Sequence, residues 1–188
     1  VPIAGDANFC SHCEDPDWAF DAALAAVEYA YPWSALVQQF KFKEHTGWAR
    51  SMATLLRSAP WVEPALEAAD WLIPMPLSHT RLKERGFNQT ALLADAICPE
   101  KTHTGLLQRI RHTDALSGMD RQQRARNIHN AYALTPSASA TLRGKKVVLL
   151  DDVMTTGASL HAAAHVLRQA DVSHITALVF ARTPASYV

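Results

Sequence analysis

The run Val147-Val148-Leu149-Leu150-Asp151-Asp152-Val153-Met154-Thr155-Thr156-Gly157-Ala158-Ser159 constrains the fold of this chain more than any other stretch. Four aliphatic residues without polar alternation describe a strand buried on both faces, as in a parallel sheet covered by helices. Two carboxylates follow where that strand ends, and in open α/β sheets ligands bind at the carboxyl end. A Thr-Thr-Gly-Ala-Ser turn comes next. It leads into a helical pattern that sets Leu160, Ala164 and Leu167 on one face. The turn therefore brings hydroxyls and backbone N–H groups to a helix N-terminus, where a phosphate is well received. Gly157 is expected to let the backbone approach that phosphate without an intervening Cβ.

The acidic pair calls for a different chemical partner. Carboxylates repel phosphate, but they accept hydrogen bonds from ribose hydroxyls and hold a hydrated Mg²⁺. A ligand with a diol in its middle and a phosphate at one end, such as a 5-phosphoribosyl group, satisfies both halves. Two other readings compete with this one. An apolar strand ending in Asp also fits a Walker B strand, but no G-x-x-x-x-G-K-[ST] occurs in the chain. A purely structural strand–turn–helix could use one Asp as a helix cap, with less reason for two consecutive Asp followed by two Thr and a Gly.

These residues resemble the hhhhDDVxTTGxS signature of type I phosphoribosyltransferases. The resemblance implies phosphoribosyl pyrophosphate as ligand and Mg²⁺ as cofactor. Asp151 and Asp152 would be the catalytic residues holding the ribose diol, and Thr155, Thr156, Gly157, Ala158 and Ser159 would hold the 5-phosphate.

The segment Ile73-Pro74-Met75-Pro76-Leu77, followed after three residues by Arg81-Leu82-Lys83-Glu84-Arg85-Gly86-Phe87-Asn88-Gln89, packs three cations, a Gly and two amides between a strand and a helix beginning at Thr90. By residue chemistry alone it is a solvated basic loop or a polyanion cradle facing the acidic pair from the neighbouring strand. It is similar to the corresponding stretch of the ComF/GntX-like type I phosphoribosyltransferase family. That resemblance implies a pyrophosphate site at Met75, Pro76, Arg81, Lys83 and Arg85. It also covers Arg109 to Tyr132, which resembles the family's mobile loop through Arg109, Arg111, Thr113, Arg124 and Asn127, with Ala131 and Tyr132 beyond. Closure of such a loop would exclude water. Leu116 stands where family members commonly carry Gln. Read without the family, the stretch is an exposed charged helix.

Cys10-Ser11-His12-Cys13 is a C-x-x-C knuckle, half of a four-ligand zinc site. The ComF resemblance implies a zinc ribbon with further knuckles, so residues 1–17 read as its remnant and the chain as trimmed at the N-terminus. Residues 18–188 then form the phosphoribosyltransferase-like domain. Cys10 and Cys13 would ligate Zn²⁺ only in a complete ribbon. With one knuckle, the expectation is little or no bound zinc.

The rest of the chain sets bounds. In 188 residues there is room for one well-packed domain with an appendage. Eighteen basic residues balance eighteen acidic ones, so bulk charge gives no argument for nucleic acid and any anion site must be local. Three cysteines make no disulfide framework and suit a reducing compartment. There is no signal-peptide pattern at Val1–Gly5 and no apolar run of membrane-spanning length, so the expectation is cytoplasmic, without a membrane partner.

Strands near Leu72, Leu106, Ala133, Leu149 and Leu178 alternate with helices, which predicts an α/β fold with a mainly parallel sheet flanked by helices. Pro74 argues against a central position for the strand at Leu72. Trp18–Tyr31 leaves helix and strand both open, since Ala favours helix while Val27, Tyr29 and Tyr31 alternate. Helices are expected from Pro32, with Trp33, Leu36, Val37 and Phe40 on one stripe, and across Trp48, Met52, Leu55 and Leu56. Lys41 and Lys43 read as a solvated helix end. Cys98 reads as a small buried residue, and Pro136–Ala140 as a short loop. The functional expectation is transfer of a phosphoribosyl group to an unidentified acceptor, with an implied link to DNA uptake. The alternative is a non-catalytic module that binds the same ligand or serves the uptake machinery.

Overall fold

A computed structural model of the chain describes residues 18–41, 46–110 and 131–183. Its centre is a four-stranded parallel sheet in the order β1–β6–β5–β2, with β1 at Ala22–Glu28, β2 at Trp71–Pro74, β5 at Lys146–Met154 and β6 at His174–Arg182. A short antiparallel pair, β3 at Leu107–Arg109 and β4 at Tyr132–Leu134, lies outside this sheet. The helices are α1 (Trp33–Phe40), α2 (Trp48–Ser58), α3 (Val62–Ala68), α4 (His79–Arg85), α5 (Gln89–Ile97), α6 (Ala138–Leu142) and α7 (Ala158–Arg168).

The continuous apolar runs of β5 and β6 are explained by two separate cores. Val147, Leu149, Ile175, Ala177 and Val179 pack on one face with α6, α7 and the β3–β4 pair. Val148, Leu150, Leu178 and Phe180 pack on the other with α1, α2, α3 and α5. Both faces of a parallel sheet must be covered, and here each side chain along the strand enters one core or the other.

The stretch from Trp18 to Tyr31 resolves as a strand. Alanine's helix preference yields to tertiary pairing: Ala22–Glu28 runs beside Thr176–Arg182 of β6. Asp21 anchors the start of β1. Its carboxylate accepts from the Ile175 N–H at 2.7 Å and from Arg168 Nη2 at 2.5 Å. Arg168 also donates to the carbonyls of Ala19 and Val172, which ties the chain ahead of β1 to the end of α7.

Pro74 ends β2 opposite Leu150. Leu72, two residues earlier, donates its N–H to Lys101, away from β5, so by alternation the missing donor of Pro74 also faces away from the ladder. Two loop expectations are corrected. The basic segment after Leu77 contains helix α4, which Ser78 caps by accepting from the Arg81 N–H at 3.4 Å and Gly86 ends in the left-handed conformation. Pro136–Ala140 is not wholly loop, because α6 begins at Ala138, whose buried side chain and that of Leu142 seat it on the core. Cys98 is half-buried at the end of α5, with its thiol donating to Glu100. Residues 1–17, including Cys10 and Cys13, lie outside the described residues, as do Lys43, Arg111, Thr113, Leu116, Arg124 and Asn127. Among the described residues no helix is long and apolar enough to cross a membrane.

Candidate functional site: a cleft at the carboxyl end of the sheet

All four parallel strands point their carboxyl ends at the same edge of the sheet. There, β2 stops opposite Leu150 while β5 continues to Met154, so among the described residues that side of β5 has no strand neighbour beyond Leu150. A cleft of about 310 Å³ opens at this edge, within the roughly 300–1,000 Å³ typical of small-molecule sites. Its lining brings together Asp151 and Asp152 of β5, Thr155 and Ser159 of the following turn, Met75 and Pro76 after β2, Arg81 and Arg85 of α4, and Arg109 of β3. Segments distant in sequence and expected to share a site therefore converge. Lys83 is exposed on α4 and is not among the lining residues, and Thr156, Gly157 and Ala158 complete the turn behind Thr155 and Ser159.

The acidic pair divides between the faces of the sheet. Asp151 is in register with Val179, on the α7 side, whereas Asp152 is reached from the α1 and α5 side. Asp152 is 6% exposed, and its Oδ2 accepts from Gln89 Nε2 at 3.2 Å and pairs with Lys41 Nζ at 3.4 Å. Asp151 is partly buried. Desolvation above all, and then the charge of Asp152, push its carboxyl from an ordinary 3.8 up to about 7, against the Asp152 N–H it accepts and the charges of Lys41 and Arg109.

The segment from Gly86 to Gln89 has a local reason for each residue. Gly86, with φ of 75°, turns the chain out of α4. Asn88 caps α5 by accepting from the Thr90 N–H at 3.0 Å, and donates to the Met75 carbonyl at 3.1 Å, which fixes the backbone leaving β2. Gln89 grips Asp152. The cation side of the cleft is less satisfied. Among the described residues Arg85 Nη1 is buried without a hydrogen-bond partner, and desolvation followed by repulsion from Arg81 lowers the guanidinium's pKa. A buried cation beside another cation is prepared for an anion. The Arg109 guanidinium, also in the lining, lies 5.6 Å from the centre of the Tyr132 ring, its cross-strand neighbour.

The turn after β5 is held from behind. Gly157 has φ of 80°, which favours glycine, and it is buried. A Cβ there would meet Trp18 at 3.0 Å and the Met154 sulfur at 3.4 Å. The glycine is thus required by conformation and by Trp18 packing; the expected close approach to a ligand is not what fills the space beside it. Trp18 stacks on Phe20 at 4.9 Å and meets His161 of α7 edge-on. Arg182, at the end of β6, donates to the Thr155 carbonyl.

Sequence reasoning missed Lys41, Tyr29 and Thr90 as lining residues, and took in Gln89 only as the end of the basic cradle and Tyr132 only as the end of the loop resemblance. Lys41 corrects an explicit expectation: it is no solvated helix end, because the end of α1 faces the cleft and a buried carboxylate. The two amides in the Arg85–Gln89 stretch were a usable signal for Gln89. Nothing local marks a lysine whose partner lies in a strand far along the chain.

A family model described as phosphoribosyl transferase domain matches residues 85–188. Competence protein F of Haemophilus influenzae is 32% identical over 186 residues, which cover 94% of this chain and 79% of that protein. DNA utilization protein YhgH of Salmonella typhimurium is 28% identical over 193 residues, covering 97% of this chain and 82% of that protein. Competence protein ComFC of Bacillus subtilis is 35% identical over 109 residues, 56% of this chain and 42% of that protein. A domain model spanning the strand–turn–helix of the cleft, together with relatives aligned along nearly the whole chain, decides the family: this chain belongs to the ComF-like type I phosphoribosyltransferases.

Proposed function

We propose that the cleft binds phosphoribosyl pyrophosphate with Mg²⁺ and transfers the phosphoribosyl group to an acceptor, in a role linked to competence or the use of DNA. The observation that carries the proposal is the sorting of charge within one cleft. Carboxylates line its β5 side, two arginines line its α4 side, and hydroxyls at the N-terminus of an eleven-residue helix complete it. A molecule with a phosphate, a diol and a second polyanion matches that order. The names of the relatives support the link to competence and DNA utilization.

The donor set suits Mg²⁺. The cation is hard, prefers oxygen, and is commonly held by one or two carboxylates plus substrate phosphates rather than by an all-protein cage. Burial and then the charge of Asp152 push the Asp151 carboxyl up to about 7, a penalty on its ionised form that a bound cation would relieve. Asp151 and Asp152 are the residues that would hold the ion and the ribose hydroxyls. When bound, Mg²⁺ would supply charge neutralisation for the departing pyrophosphate.

The chain's own residues would do the remaining work. Thr155, Ser159 and the first N–H groups of α7 would fix the 5-phosphate, and Gly157, packed under Trp18, keeps that turn rigid. Arg81 and Arg85 would face the pyrophosphate, so that their charge is preorganised where negative charge grows as the C1–O bond breaks. The buried, unpartnered Nη1 of Arg85 would gain its hydrogen bond there. Arg109, steadied on Tyr132, adds a further positive group to the lining. The acceptor is a nucleophile of unassigned class.

The test is pyrophosphate release from phosphoribosyl pyrophosphate in the presence of Mg²⁺ and a panel of nucleobases, ammonia and amines. Acceptor-dependent release supports an enzyme. Tight binding without release from any acceptor supports a ligand-binding module in the same family. No binding rejects the proposal.

A further inference from the structure

We infer that Lys41 is a positioning residue for the acidic pair: its ammonium is the built-in counter-ion of Asp152 and competes with a divalent cation for that carboxylate. The inference rests on the proposed reading of the cleft and adds to it a rule for when metal binds.

Asp152 is buried at the wall of the cleft, where a lone carboxylate is costly unless paired and hydrogen-bonded. Both compensations meet at one atom. Lys41 Nζ lies 3.4 Å and Gln89 Nε2 3.2 Å from Asp152 Oδ2. The lysine is well placed to stay there. It directly follows α1, whose Phe40 is fully buried, and its own N–H closes the helix by donating to the carbonyls of Gln38 and Gln39. A cation at a helix C-terminus is favoured by the helix dipole. The side chain keeps 22% of its surface exposed, on the cleft side, so a ligand entering the cleft meets the ammonium as well as the carboxylate.

A consequence follows from the charge count. With both carboxylates ionised, the pair carries two negative charges; Lys41 cancels one of them. A divalent ion alone therefore finds a half-neutralised site, while an ion arriving with a polyphosphate brings its own compensating anion. Lys41 would thus make metal binding depend on substrate.

The experiment is a calorimetric titration with Mn²⁺ alone, no substrate present, of the wild type, Lys41→Met and Lys41→Arg, each also in an Asp152→Asn background. Lys41→Met is expected to bind Mn²⁺ on the order of tenfold more tightly than wild type, because a unit positive charge within a few ångströms of the ion is gone. Lys41→Arg is expected to restore wild-type affinity, and Asp152→Asn to abolish the gain. A purely structural lysine would leave Mn²⁺ affinity unchanged or lower it on substitution, and either result overturns the inference. The folded wild type provides an independent measurement. The Lys41 side-chain ¹⁵N resonance, assigned through its absence in Lys41→Arg, is expected to shift at saturating Mg²⁺, and a signal unmoved at saturation also overturns the inference. Wild-type protein that binds no phosphoribosyl pyrophosphate with Mg²⁺ would reject the functional reading instead, and the Mn²⁺ comparison would still decide the role of Lys41.

Discussion

Asp151→Asn should stabilise the metal-free protein at and above neutral pH. The fold holds Asp151 against its own ionisation, chiefly by burial and then by the adjacent charge of Asp152. A displacement from 3.8 to about 7 corresponds to roughly 4 kcal/mol against the charged form at about 1.4 kcal/mol per unit. Partial opening to solvent reduces this, and a gain of about 2 kcal/mol is expected. The sign is fixed by proton uptake. Between pH 4 and 7 the folded chain holds a proton on Asp151 that the unfolded chain has lost, so wild-type stability falls as pH rises through that window and levels off above it. Asparagine removes the titration while its Oδ1 can still accept from the Asp152 N–H, now at 2.9 Å. Urea unfolding at pH 4, 6 and 8 with chelator present reads the difference. The two proteins should agree near pH 4 and diverge by pH 8, with the variant the more stable. A difference that does not change with pH, or a variant less stable at pH 8, would refute the argument that Asp151 is a strained carboxylate.

Three further outcomes are expected. Arg85→Ala should weaken phosphoribosyl pyrophosphate by about 1.5–3 kcal/mol, the range of a charge-assisted hydrogen bond, and leave ribose 5-phosphate nearly unchanged; equal calorimetric losses for both ligands would place Arg85 elsewhere. Gly157→Ala should destabilise by about 1 kcal/mol more than Gly144→Ala, the low end of an overpacking cost. Both glycines have positive φ, but only at Gly157 would the new methyl meet Trp18, whereas at Gly144 none of the described residues lies within 4 Å; equal urea midpoints would remove the claimed packing of Trp18 on the turn. Burial raises the Asp21 pKa, but the Ile175 N–H, Arg168 and His174 together outweigh it, so the folded value is lowered and the stabilisation present above pH 4 is lost as pH falls through it. Asp21→Asn should therefore cost about 1 kcal/mol at pH 7, allowing for solvent screening, and little at pH 2; thermal melts at the two values check it.

What the sequence disclosed depended on how locally each feature is encoded. The β5 strand, the turn and α7 form one continuous unit, so apolar run, carboxylates, glycine and helix stripe could be read together. The Arg81–Gln89 stretch was recognised as important, yet α4 within it was read as loop, because a helix with no buried residue has no apolar stripe to betray it. Strand β1 stayed ambiguous for a different reason. Its alanines become strand only by pairing with β6, nearly the length of the chain away. The partners of Asp152 were hidden in the same way. Gln89 is 63 residues from it, and Lys41 reaches it from a helix on one face of the sheet. Sequence pattern located the acidic pair, and only the fold separates a carboxylate with a counter-ion from a neighbour that is pushed toward neutrality.

The central claim is that this cleft binds phosphoribosyl pyrophosphate through a metal held at the acidic pair. Its most direct test is a calorimetric titration of phosphoribosyl pyrophosphate with and without Mg²⁺, on the wild type and on the Asp151→Asn/Asp152→Asn double variant. Asparagine keeps the size of both side chains and removes the charge that favours the ion. Mg²⁺-dependent binding is expected of the wild type. The double variant should fold and still take inorganic phosphate at the Thr155–Ser159 turn, but without the metal-dependent gain. Undiminished, Mg²⁺-dependent affinity in the double variant would show that the acidic pair does not hold the metal.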